Sequence, residues 1–371
     1  MTSSPLVHGL DAKLVAPDWP APDPAELQLV LAAYGLGPGQ PPSWLSPRPL
    51  ASSILVPTNA GQVFVKRSNH QVRDAEGLRE EHRFAQHLRS AGIPTPEVLH
   101  TSEGDTVFPR GEWCYEVHKP AVGIDRYRDA MSWTPFDTPT EARSAGRCLA
   151  LFHAAATTFT APHRTTQVLT SRPDALLAGS IRTAIAAFAS TRPAAREILA
   201  AARESDLDYL DALLDTIAQP LRSLRQQWTH NDWHASNLFW RGLAVSAVID
   251  FGLADLSYAV VDLAIAIERN MIRWLELPQP EISEPTSTAA LLAGYQEVRD
   301  LTAVEAALLP NILPVVHLDF ALSEVDYFAR VLADSNRGTV AWRDYAVGHA
   351  NWFTTEQGRI FQDFVRTCLR R

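Results

Sequence analysis

Lysine is almost missing from this chain. Its 371 residues carry 33 Lys and Arg together, and only Lys13, Lys66 and Lys119 are Lys. Where a plain surface cation would serve, the chain writes Arg, so each Lys draws attention, Lys66 most of all because it closes the strand-like run Gln62–Lys66. Cysteine is equally scarce. Cys114, Cys148 and Cys368 form neither a disulfide framework nor a metal-ligand spacing, which fits a reducing compartment. The apolar runs fall short of a membrane span. The N-terminus has no basic start or apolar stretch, so no signal peptide is expected and the cytoplasm is the expected location. Basic charge is in deficit, 33 residues against 42 acidic ones for a net −9. Nucleic acid, which wants a clustered basic surface, is therefore not the expected partner. The acidic balance is compatible with a cationic substrate, although charge of this size mainly serves solubility. The remaining composition, 46% hydrophobic and 20% charged, is that of an ordinary globular protein with length for two lobes.

The order of elements is strands with one helix, then mostly helix, with no internal repeat. Residues 1–23 are Pro-rich and polar and read as a loose arm. Pro24–Tyr34 reads as a helix ended by Gly35 and Gly37. Residues 50–56 and 62–66 read as strands joined by the turn Thr58-Asn59-Ala60-Gly61. Arg73–Ser90 reads as a helix with Leu78, Phe84, Ala85 and Leu88 on one face and Glu81 in the middle of that face. A carboxylate in an apolar stripe needs a partner, and Lys66 is the expected one. Residues 111–118 read as a further strand. Thr138-Pro139-Thr140-Glu141 forms a capping box with Pro at the first helical position. Residues 174–225, 259–275, 288–300, 305–332 and 356–369 read as helical, and 244–250 as a strand.

Two segments carry the chemistry. Thr229-His-Asn-Asp-Trp-His-Ala-Ser-Asn237 places Asn237 five residues after Asp232, and Val248-Ile-Asp-Phe-Gly252 places Asp250 eighteen residues after Asp232. A kinase catalytic loop has this shape, with an Asp that accepts the acceptor hydroxyl's proton and an Asn and a second Asp that hold magnesium. Each motif alone is weak, and the two in order at this spacing are strong. In the same scheme Lys66 and Glu81 position the nucleotide phosphates, and the strand end Glu116, Val117 and His118 meets the base through its backbone.

With Val65-Lys66, Gly92-Ile-Pro-Thr-Pro96, Leu149-Ala-Leu-Phe-His153 and Asp262-Leu-Ala264 added, the chain resembles the aminoglycoside phosphotransferase and choline kinase-like family over roughly residues 25–275. The resemblance implies an α+β, protein-kinase-like two-lobed fold, with a β-rich lobe over 1–117 and a larger helical lobe over 118–371. It also implies ATP (or GTP) with Mg2+ as cofactors and phosphoryl transfer to a hydroxyl of a small molecule. The family's loop usually has Gly where this chain has Asn231, a variation found in its choline kinase and hexosamine kinase branches. No Gly-x-Gly-x-x-Gly lies between the first strands. Arg48-Pro-Leu-Ala-Ser-Ser53 stands there, and the resemblance assigns Ser52 and Ser53 to the phosphates.

Acceptor contacts are expected from the large lobe: His234, Glu268, Asn270, Arg273, Trp274, Asp319, Glu324 and Asp326, with Arg269 and Ser323 near them. His230 and Asp262 read as structural. An amino sugar or aminoglycoside-like compound is the favoured acceptor. The alternatives are a choline-like amino alcohol or plain sugar, a nucleotide-binding module without transfer, and a zinc hydrolase built on His230, Asp232 and His234.

Overall fold

The computed structural model describes residues 7–8, 14–131, 133–277, 279 and 281–369. Strands β1 (Val7–His8) and β2 (Leu14–Val15) pair with each other. β3 (Trp44–Leu45), β4 (Ser52–Thr58), β5 (Gly61–Asn69), β6 (Phe108–Arg110) and β7 (Trp113–His118) form an antiparallel sheet in the order β3-β4-β5-β7-β6. Thr58 pairs with Gly61, so Asn59-Ala60 is the tip of the expected hairpin. Alternation along the strands sorts the two faces. Ile54, Val56, Val65 and Val117 pack with Leu27, Val30 and Leu31 of helix α1 (Pro24–Ala33). Ser53 and Glu116, each across from Lys66, share the opposite face with it.

Helix α2 (Ala75–Ser90) starts at Asp74, whose side chain accepts from Gly77 N at 2.8 Å. Its expected stripe is buried, but mostly against the large lobe. Phe84 meets Trp228, Phe152 and Phe251 at ring distances of 5.2, 5.6 and 6.1 Å.

The large lobe begins with α3 (Pro139–Ala156), opened by the predicted Thr138/Glu141 capping box. There follow α4 (Asp174–Ala178), α5 (Ile181–Ser190), α6 (Pro193–Leu199) and α7 (Glu204–Arg222). Four short strands carry the two chemical motifs: β8 (Gln227–Thr229), β9 (Leu238–Arg241), β10 (Ala244–Val248) and β11 (Asp255–Ser257). They pair as β9 with β10 and β8 with β11. The rest is helical: α8 (Ala259–Met271), α9 (Pro285–Gln296), α10 (Ala303–Ile312), α11 (Leu318–Asp326), α12 (Ser335–Val340), α13 (His349–Trp352) and α14 (Glu356–Cys368). α3 and α9 cross backbone to backbone. A Cβ on Gly146 would lie 2.0 Å from Leu291 O, and one on Gly294 2.0 Å from Arg143 O.

Three readings of the sequence change here. The stretch expected as one helix over 305–332 is broken by a 3-10 turn at Leu313–Val315 and a π segment at Tyr327–Val331. Pro310 and Pro314 bring no N–H to the ladder there. By length and composition the run Ala303–Val331 could cross a membrane, contrary to the reading of short apolar runs. However, 72% of its most apolar window is buried inside the protein, so it behaves as core. The arm is not loose where it is described. Trp19 Nε1 donates to the Tyr327 hydroxyl at 3.1 Å, and Arg337 pairs with buried Asp18 at 2.8 Å, tying the arm to the large lobe.

Candidate active site

A cavity of about 1000 Å³ opens between the lobes, lined by Ser53, Lys66, Glu81 and Glu116 from one side and by Asp232, His234, Asn237, Asp250 and Arg269 from the other. The turn that presents Asp232 hangs on Asp262 of α8. The fully buried Asp262 carboxylate accepts from His230 N at 2.8 Å and Asn231 N at 2.9 Å, and it bonds His153 Nε2 at 3.0 Å. Asn231 has φ +60°, a left-handed conformation that glycine adopts freely and asparagine tolerates. Its side chain secures the turn by donating to Ser171 O and Leu253 O and accepting from Thr229 Oγ1. Asn270 completes the frame, accepting from Ala235 N and donating to Trp233 O.

Both oxygens of Asp232 are engaged. Arg269 Nη2 lies 3.0 Å from Oδ1, while Asn237 Nδ2 at 3.0 Å and His234 Nε2 at 3.4 Å reach Oδ2. Burial would push this carboxyl up, but Arg269 and His234 overcome it and hold the group well below the ordinary range. The carboxylate is thus ionised throughout the neutral range. Asn237 spends its NH2 on Asp232, bonding its carbonyl oxygen as well at 2.9 Å, which leaves the amide oxygen for a cation.

Lys66 Nζ bonds Asp250 Oδ1 at 3.0 Å. Burial alone would lower the Lys66 pKa, and Asp250, Glu116 and Glu81 together raise it. Asp250 sits at φ +59° with its side chain 46% exposed, open to a ligand from the cleft. The expected Lys66–Glu81 pair is not formed. Glu81 instead meets Arg164 Nη2 at 3.1 Å, and Arg164 also donates to Gly77 O and Gly252 O. Arg73 adds a second bond to Gly252 O at 2.8 Å. Two buried guanidinium groups therefore fasten the Asp-Phe-Gly turn to α2. Neither stood out in the sequence, because an Arg-rich chain gives no single Arg any prominence.

The phosphate-loop segment shows a similar omission. Ser53 lines the cavity beside Lys66, but Ser52 pairs across from Arg67 on the other face and does not. The conspicuous group is Arg48, which donates to Ala130 O at 2.9 Å and to Ser236 Oγ at 2.8 Å. Ser236 in turn bonds His234 Nδ1 at 2.9 Å, so a hydrogen-bond chain runs from this loop through Ser236 and His234 to Asp232. At the strand end, Glu116 bonds the Nε2 atoms of His82 at 2.8 Å and His118 at 2.7 Å. The side chains of Glu116 and His118 face the cleft, whereas Val117 is core and its carbonyl accepts from Leu99 N. That carbonyl is spent within the small lobe.

The spacing, the shared cavity and the tethered Asp232 are those of a phosphotransferase, and the phosphotransferase enzyme (APH) family model matches residues 50–303. The chain belongs to this family. Among curated relatives, this phosphotransferase is 27% identical over 311 residues to a homoserine kinase of Methylobacterium radiotolerans, covering 81% of the chain and 85% of the relative. It is also 27% identical over 309 residues to a homoserine kinase of Sinorhizobium medicae, covering 81% and 83%. Among solved structures, a microcompartment-associated aminopropanol kinase superposes with a TM-score of 0.61 at 16% identity, over 91% of this chain and 99% of that one. The amicoumacin kinase hAmiN, in complex with AMP-PNP, Ca2+ and Ami, gives 0.58 at 14% over 92% and 93%. The fold is thus the expected two-lobed, protein-kinase-like α+β fold. The phosphotransferase is a small-molecule kinase with a hydroxyl acceptor, and the reading as a binding module without transfer falls.

The zinc-hydrolase reading falls on geometry. Both ring nitrogens of His230 are spent on backbone, Nε2 on Ile249 O and Nδ1 on Asp232 N, so His230 cannot share a metal with His234. Of the expected acceptor residues, His234, Glu324 and Arg269 line the cavity. The others do not. Glu268 bonds His349 Nδ1 at 2.9 Å, and Trp274 stacks on that imidazole at 3.8 Å. Asn270 holds the catalytic turn, and Arg273 pairs with Glu284 at 2.7 Å away from the cleft. Asp319 accepts from Ala175 N at 2.7 Å, and Asp326 is held by Arg330. Helical spacing put these polar groups in the right stretch. The angular position of each helix in the bundle, which spacing does not encode, turned them away from the cleft.

Proposed function

We propose that this phosphotransferase moves the γ-phosphoryl group of ATP to the terminal hydroxyl of a small amine-bearing acceptor, with a homoserine-like amino alcohol as the leading class. The observation that carries the reading is the Asp232 carboxylate, tethered by Arg269 and Asn237 in the same cavity as the Lys66–Asp250 pair. Asp232 orients the acceptor hydroxyl and takes its proton as the oxygen attacks phosphorus. Lys66 and Ser53 bind nucleotide phosphates on one side of the cleft, and Arg48 adds positive charge where the phosphate loop meets the catalytic loop. The free amide oxygen of Asn237 and the exposed carboxylate of Asp250 are the hard donors magnesium takes, and they would hold it. That ion supplies charge neutralisation at the phosphates. Otherwise the protein contributes positioning and fixed charge.

The curated relatives' homoserine kinase names and the fold shared with an aminopropanol kinase support a small amino alcohol. The amino-sugar reading rests on the acidic balance and remains the second choice. The test is Mg-dependent ATP consumption over a panel of homoserine, amino alcohols, amino sugars and plain sugars. Asp232→Asn lowers kcat by roughly two to four powers of ten, the weight of a general base, with ATP affinity nearly unchanged. A fully active Asp232→Asn enzyme sinks the assignment.

A further inference from the structure

Beyond Asp232 the cavity ends in an aromatic wall. Phe320, Glu324 and Phe328 follow at steps of four residues along α11 and its π extension, and Trp133 and Tyr345 also line the cavity, with Asp334, Asn336 and Arg337. Trp133, held at φ +59°, lies 5.0 Å from the Tyr345 ring and 6.1 Å from His317, with the Arg269 guanidinium 5.5 Å over its face. The wall is therefore contiguous with the group that holds Asp232.

The charges at this end divide unevenly. Arg269 is paired with Asp232 at 3.0 Å, and Arg337 with Asp18 at 2.8 Å and Asp334 at 2.9 Å. Glu324, only 8% exposed, has no Lys or Arg in an ion pair with it among the described residues. The nearest group, His317 Nε2, stands 3.8 Å from Oε2, beyond hydrogen-bond reach, and both of these buried atoms lack a partner. Glu268 cannot relieve them, because His349 already occupies it. A buried carboxylate without a donor is costly, and aromatic faces around it attract a cation.

We propose that Glu324, with Trp133, Phe320 and Tyr345, forms the site for the acceptor's ammonium group; the Phe328 face is already taken by the Arg337 guanidinium, 4.9 Å over its ring. This deepens the reading of the protein as a kinase for an amine-bearing hydroxyl compound and rests on it. The acceptor lies with its hydroxyl at Asp232 and its ammonium at Glu324, along the Trp133 face. Glu324 is then a specificity residue that acts on the acceptor and not on the nucleotide.

The test compares homoserine with its des-amino analogue, 4-hydroxybutanoate, as acceptors for the full-length enzyme and for Glu324→Gln. Wild type favours the amine in kcat/KM. Glu324→Gln raises KM for homoserine about 10- to 100-fold, as loss of a charged hydrogen bond requires, and moves kcat much less. The preference over the des-amino compound then collapses toward one. Equal losses for both acceptors, or an undiminished preference, overturn the proposal. Calorimetric titration of 3-aminopropan-1-ol into ATP-free protein gives a second readout that needs no turnover. Binding that weakens in Glu324→Gln supports the site even if every acceptor in the kinetic panel fails, an outcome that would sink the proposed reaction alone. Absent binding to wild type, or equal binding to both proteins, overturns the site. Matching unfolding midpoints for the two proteins establish that the variant is folded.

Discussion

Replacing Asp262 by Asn tests whether one buried carboxylate sets the catalytic turn. Asp262 is fully buried and receives His230 N, Asn231 N and His153 Nε2 at 2.8, 2.9 and 3.0 Å. Asn keeps the shape and one acceptor oxygen, but its NH2 now confronts one of the remaining donors. At least one buried N–H loses its partner, at about 1–3 kcal/mol, and the bond that survives loses its charge assistance. With about 1 kcal/mol for that lost charge assistance the sum is about 2–4 kcal/mol, a large share of the 5–15 kcal/mol typical of a folded domain. Because the same two N–H groups fix the left-handed turn at Asn231, Asp232 also shifts, and a displacement near 1 Å costs on the order of 100-fold in kcat. Urea unfolding midpoints and kcat, both measured well below the melting temperature, read the two effects. A variant within 1 kcal/mol of wild type that retains full kcat would refute the reasoning.

Two further predictions concern pairs that sequence could not assign. Glu81 and Arg164, 3.1 Å apart and buried, should show a coupling of about 1–3 kcal/mol in a double-mutant unfolding cycle, whereas Glu81 with Lys66, which interact only through space, should show a smaller one. The opposite ranking would restore the pair the sequence suggested. Burial holds His349 neutral, its pKa pushed down from 6.5 to about 4 despite the Glu268 bond. The unfolded chain takes up that proton below pH 6.5 and the native protein does not until near pH 4. This contribution is therefore complete above pH 6.5 and is lost as pH falls through that window, on the order of 3 kcal/mol in all. His349→Gln should flatten the curve of urea midpoint against pH over that range, and parallel curves would count against it.

The chemistry was legible in the sequence because it lives in short, contiguous motifs. The Asp232–Asn237 interval fits within one turn of chain, and Asp250 is reached through a single hairpin, so spacing alone delivers three groups to one place. The Thr138 capping box, the hairpin at Asn59-Ala60 and the buried face of α2 are equally local, each fixed by a residue pattern of period two or 3.6. What failed was non-local. Glu81 sits where the helical wheel put it, but its partner is Arg164, eighty-three residues away, and not the Lys66 that stands near it on the sheet. Arg48 reaches Asp232 through Ser236 and His234 only because the two lobes close on each other.

The acceptor end shows the division most clearly. Sequence placed eight candidate contact residues in the helical lobe, and the structure left two of them, His234 and Glu324, on the cavity wall. Residue types and intervals determine which groups a segment carries and which face of a helix they share. How far each helix is rotated, and what another lobe brings against it, is decided by burial of the whole apolar surface at once, and no local interval records that.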